Sequence, residues 1–99
     1  MAIDFGKIAA HALQNSEAIV RWLLPEGRVV GNEYEALNPR REDHGIGSFK
    51  VNLATGRWSD FAMVGVAGRD LISLGSYIWC CGQGESARRI TEYLGIPVQ

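Results

Sequence analysis

The spacing of apolar residues changes twice along this chain, and those two changes constrain the fold more than any single motif does. In the first quarter Phe5, Ile8, Ala9, Ala12 and Leu13, then Ile19, Val20, Leu23 and Leu24, recur at helical spacing. Asp4 and Ser16 are placed to cap the two stretches, and Pro25 with Gly27 ends the pattern. From Arg28 the period shortens to two. Arg28-Val29-Val30, the turn signal Gly31-Asn32 and Glu33 to Leu37 predict one hairpin. Phe49, Val51 and Leu53 alternate with Ser48, Lys50 and Asn52, and Ala54-Thr55-Gly56 reads as a three-residue loop into a partner strand. That loop would set Phe49 opposite Phe61, Lys50 opposite Asp60 and Asn52 opposite Trp58, leaving one apolar face and one face of charge plus an indole. Helical spacing returns at Leu71, Ile72, Leu74, Tyr77, Ile78 and Trp79, capped by Asp70 and broken by Gly82. A last helix from about Glu85 carries Ala87, Ile90, Tyr93 and Leu94, with Gly95 and Pro97 as its stop.

These periods predict an α+β fold, a small antiparallel sheet packed with N-terminal and C-terminal helices. The expected organisation is one domain over 1–99: a helical lead-in over 1–27, β-hairpins over 28–62 and helices over 69–96. At 99 residues a second core would leave each half too small to fold alone. A domain of this size removes roughly 65% of its unfolded surface from water. With 46% hydrophobic and 21% charged residues the composition is that of an ordered globular protein.

The formal net charge of -1 exerts no global pull on nucleic acid, so such a partner has to be met by a local basic face. No run of 18 apolar residues exists and the amino terminus lacks a leader pattern, so a cytoplasmic location is expected. Cys80 and Cys81 are adjacent, which suits neither a structural bridge nor a zinc cage made from that pair, and they read as part of a helix face.

Catalytic constellations are weak. Glu33 with Glu35, and Glu42 with Asp43, lack an accompanying nucleophile or base and read as solvated charge. Ser48 and Ser73 have no evident His and Asp partners, with His11 on the first helix and His44 in a loop. Gly65 to Gly68 lacks the lysine and hydroxyl that follow in a phosphate-cradling loop. The chain is therefore read as a non-enzyme. Arg88 and Arg89 could extend a basic face, but Glu85 and Glu92 at helical spacing suggest surface pairs.

One run is harder to explain by folding alone. Gly31-Asn32-Glu33-Tyr34 leads to Asn38-Pro39-Arg40-Arg41-Glu42-Asp43, then Gly47-Ser48-Phe49, Thr55-Gly56-Arg57-Trp58-Ser59-Asp60-Phe61-Ala62, and Gln83-Gly84-Glu85-Ser86-Ala87. Over about residues 16 to 96 this order of parts resembles the zinc-ribbon-like amino-terminal domain of primase and primase-helicase proteins from phages and other mobile elements. That family carries metal ligands at positions that fall here near Asn38, Arg41, Asp60 and the turn from Met63 to Gly65. None of these is cysteine or histidine, so no bound zinc and no other cofactor is expected. His44 is the nearest imidazole and reads as a solvated loop residue. In place of a metal, burial of Tyr34, Phe49 and Phe61 against the helices is expected to hold the sheet, at roughly 1.5 to 3 kcal/mol per large apolar side chain. The glycine-rich turn also departs from the family pattern, reading Met63-Val64-Gly65-Val66-Ala67-Gly68-Arg69-Asp70.

The resemblance implies a non-catalytic module that touches single-stranded DNA template during replication, while separate domains polymerise. Candidate nucleic-acid contacts are Arg40, Arg41, Lys50 and Arg57 for phosphates, with Trp58 as a base-stacking platform worth about 1 to 3 kcal/mol. Buried beneath the first helix, Trp58 would instead be core. A different class of function stays open: a freestanding mobile-element protein that binds and inhibits a host protein complex such as a defence system. Met63, Val64 and Val66 are its contact candidates, because an apolar loop marks protein interfaces.

Overall fold

A computed structural model describes residues 2–40 and 46–99. Among these the elements run α1 (Phe5–Gln14), α2 (Ser16–Leu23), β1 (Arg28–Val30), β2 (Glu33–Ala36), β3 (Phe49–Asn52), β4 (Trp58–Asp60), β5 (Ala67–Gly68), α3 (Leu71–Trp79) and α4 (Gln83–Leu94). The five strands form one antiparallel sheet in sequence order, β1-β2-β3-β4-β5. This is the expected α+β class, with one strand more than the hydrophobic pattern announced.

The first hairpin closes as its sequence dictates. Val30 pairs with Glu33 across a two-residue turn in which Gly31 takes φ +61, a backbone state glycine adopts without steric cost. The second hairpin corrects the expected register by one residue. Phe49 faces Asp60, Lys50 faces Ser59 and Val51 faces Trp58. The cause is Asn52, whose Oδ1 accepts from the backbone N–H groups of Ala54 and Thr55 at 2.8 and 3.1 Å, organising a wider turn closed by Asn52 N to Arg57 O at 2.7 Å. A slip of one residue turns every β4 side chain to the other face. Trp58 therefore enters the core at 5% exposure, and Phe61, expected to be buried, stands out at 73%.

The core face of the sheet carries Tyr34, Ala36, Phe49, Val51 and Trp58, joined by Ile8, Ile19, Val20, Leu71, Ile72, Leu74 and Ile90 from the helices. Trp58 sits between Phe49 and Tyr77, with ring centroids 5.9 and 5.2 Å away. Its indole Nε1 donates to Ser73 Oγ at 3.0 Å, giving the buried N–H a partner. The glycine-rich segment supplies β5 because Gly68 lies on that indole. A Cβ there would fall 2.4 Å from Trp58 Nε1, so only glycine lets the fifth strand close over the ring.

Helix ends differ in detail from expectation. Asp4 and Asp70 cap α1 and α3, accepting from Lys7 N and Ser73 N at 3.0 and 2.8 Å. Ser16 is no cap. It opens α2 and donates its hydroxyl to Leu53 O at 2.7 Å, tying that helix to the β3–β4 turn. The third helix ends at Cys80 in the left-handed conformation, φ 54, before Gly82 is reached, and α4 starts at Gln83 and ends on Gly95.

Candidate nucleic-acid interface

The side of the sheet away from the core is assembled by the same alternation that builds the core. Glu33 and Glu35 of β2, Lys50 and Asn52 of β3, and Ser59 of β4 all point away from the buried set. Arg57 and Phe61, on either side of β4, belong to this face by the two-residue period. Glu33, Lys50, Asn52, Thr55, Arg57 and Ser59, with part of Trp58, line one shallow depression here.

Charge on this face is unevenly distributed. Toward β1 it is internally compensated: the Arg28 guanidinium reaches Glu35 Oε1 at 3.2 and 3.1 Å through Nε and NH2, and Lys50 Nζ approaches Glu35 Oε2 at 3.4 Å. The hydrogen bond from Arg28, helped by Lys50, holds the Glu35 carboxyl below the ordinary glutamate range although partial burial pushes the other way. Toward β4 and β5 the cations are less constrained. Lys50 Nζ also lies 5.8 Å from the centre of the exposed Phe61 ring, and Arg57 is exposed.

The candidate contacts thus separate. Lys50 and Arg57 share the outer face. Arg40 sits elsewhere, its guanidinium 4.7 Å over the Tyr77 ring of α3. Arg41 lies outside the described residues, as do Glu42, Asp43 and His44. Trp58 points into the core, so its ring is closed to a base from this surface. Phe61 is the aromatic the sequence reading missed, and it was hidden by the one-residue register error. In the apolar turn Met63 is 39% exposed and Val64 fully so, whereas Val66 packs partly on the core and accepts from Asp60 N at 2.9 Å.

Behind the sheet, three of the positions singled out as metal-ligand equivalents come together. Asn38 Nδ2 donates to Asp60 Oδ2 at 2.9 Å and to Tyr77 Oη at 2.8 Å, and it lies 4.0 Å from Met63 Sδ. Asn38 Oδ1 accepts from Arg40 N at 2.8 Å, and Asp60 Oδ1 from Ala62 N at 2.9 Å. Both Asn38 and Asp60 are 1% exposed, so these bonds replace water for groups that would be costly to bury bare. Among the described residues no group of three or more His, Cys, Asp or Glu side chains is placed to hold a metal.

A meander of five short strands with helices on one face and a mixed-charge, aromatic-bearing outer face defines an α+β module. The chain is similar to the crystal structure of Aquifex aeolicus primase, which comprises its zinc-binding and RNA polymerase domains, with a TM-score of 0.74 and 22% identity. The likeness covers 100% of this chain and 23% of that one. No protein-family model matches the chain, and no curated protein does. Among the described residues no helix is long and apolar enough to cross a membrane.

Proposed function

We propose that this chain is a non-catalytic, cytoplasmic module of a primase from a phage or other mobile element, contacting single-stranded DNA through the outer face of its sheet. The observation that carries this reading is Phe61, a ring 73% exposed on a sheet face, with Lys50 beside it and Arg57 on the same strand side. An exposed aromatic ring beside a lysine offers a nucleobase a matching flat apolar surface with a cation at hand for its phosphate. Phe61 takes the stacking role in place of Trp58. Lys50 and Arg57 accompany the backbone, while Arg40, held over the Tyr77 ring, lies off this face.

In this reading the buried Asn38, Asp60 and Tyr77 bonds stand where a related ribbon would carry its zinc. The chain then binds no metal and needs none to fold. The likeness to a primase of known structure supports the setting, and polymerisation would belong to other domains.

The test is fluorescence anisotropy with a labelled oligothymidine at low salt. Micromolar binding that weakens about tenfold in Phe61→Ala, with an unchanged unfolding midpoint, is the expected result. Absence of binding at about 100 µM protein, the weak end of non-specific affinity, would end the proposal. A second reading rests on the exposed turn: Met63 and Val64 beside Phe61 make a small apolar prominence suited to a protein partner such as a host complex. Loss of a partner on Val64→Asp, with DNA binding intact, would favour it.

A further inference from the structure

Arg69 was absent from the candidate contacts, yet the strand register brings it to them. Trp58 pairs with Gly68 and Ser59 with Ala67. One step further along the same register, Arg57 stands across from Arg69. The backbone supports this continuation, because a Cβ built on Gly56 would lie 3.5 Å from Asp70 Cα and 3.8 Å from Arg69 O. Alternation gives the direction: Trp58 and Gly68 adjoin the core, so Arg57 and Arg69 belong to the outer face, and both are exposed.

Like charges directly opposite one another across two strands destabilise a sheet. A neighbouring carboxylate can relieve such a pair, as Glu35 does between Arg28 and Lys50. Neither Arg57 nor Arg69 has an ion pair among the described residues. The nearest candidate on the β5 side, Asp70, spends its Oδ1 on the N-terminus of α3. Glu33, which lines the same depression as Arg57, would repel an anion approaching from β2.

Building on the DNA-binding reading, we infer that Arg57 and Arg69 together grip one backbone phosphodiester of the bound strand, at the opposite end of β4 from Phe61. A phosphate offers several acceptor oxygens to two forked guanidinium groups, and it removes the repulsion the empty pair maintains. The bracket also gives the site a direction, because the strand runs along β4 from the Phe61 ring to the arginine pair beyond Trp58 and Gly68.

The experiment measures oligothymidine affinity against salt for the intact chain, Arg57→Gln, Arg69→Gln and the double variant, with Phe61→Ala as an independent arm. Each neutralised phosphate on a single strand contributes about 0.7 to the slope of log affinity against log salt. One shared phosphate predicts that each single variant weakens binding and that the double variant loses about 0.7 of slope in all. A loss of about 1.4 in the double variant means two separate phosphates and overturns the bracket. Unchanged binding in the double variant, with Phe61→Ala still weakened, overturns it while leaving the sheet-face reading intact. If the intact chain binds no strand, both fail together.

Discussion

On the helix-facing side of the sheet Asn38, Asp60, Tyr77 and the Trp58 indole bond to one another or to Ser73, while Arg57 and Arg69, flanking β4 and β5, are exposed with no ion-pair partner among the described residues. Both sets are polar. The difference is that the inner set is closed to water and satisfied within the chain, whereas the outer set faces water, which hydrates the charge. A buried polar group without its partner loses the full value of its hydration. An exposed arginine loses little, so its placement is free to serve a ligand. Substitutions on the two faces should therefore separate cleanly into effects on stability and effects on binding.

The sharpest way to break that contrast is Asp60→Ala, which strips an acceptor from the Asn38 amide and from Ala62 N–H. A loss of about 3 kcal/mol in urea unfolding is expected, and an unchanged midpoint would show that the inner bonds contribute little. Gly68→Ala comes next. Its methyl would collide with the Trp58 indole, costing about 2 kcal/mol through displaced packing, measured the same way and accompanied by a change in tryptophan emission. On the outer face Phe61→Ala should leave stability within about 0.5 kcal/mol. Its effect should appear in DNA affinity alone, and a large stability loss would mean that the ring packs on its own sheet.

The smallest expected effect concerns pH. The Glu35 carboxyl has its folded-state pKa lowered chiefly by Arg28, so its contribution to stability is fully present above the ordinary value of 4.5 and fades as pH falls through the lowered folded value. Thermal melts on the acid side should show this decline in the intact chain and less of it in Glu35→Gln. High salt should shrink the difference, because Arg28 is well exposed.

Local chemistry made much of this legible. The Gly31-Asn32 turn fixed the first hairpin because two residues leave one register, and Asp4 and Asp70 announced their helices through capping chemistry. The second hairpin was misread because Ala54-Thr55-Gly56 looked sufficient as a turn, whereas the Asn52 side chain recruits one more residue. That single step exchanged the positions of Trp58 and Phe61, and with them the chemistry of the site. The two-residue β5 was too short to show a period, and it exists because a glycine fits on an indole. Asn38 and Asp60 were picked out by position. Their bonding to each other was not, and Tyr77, 39 residues from Asn38 along the chain, joins them only once α3 has docked. Side-chain networks of this kind depend on three-dimensional approach, which no local pattern encodes.

Each strand's neighbour in the sheet is also its neighbour in the chain, with a two-residue turn between β1 and β2 and a twelve-residue connection, 37–48, between β2 and β3. The contacts of greatest sequence separation join α1 to α3 and α4, segments from opposite ends of the sequence. Loop-closure cost therefore falls most heavily on the helical cover, and stopped-flow refolding is expected to slow more on Ile8→Val or Ile90→Val than on a change within the β1–β2 hairpin.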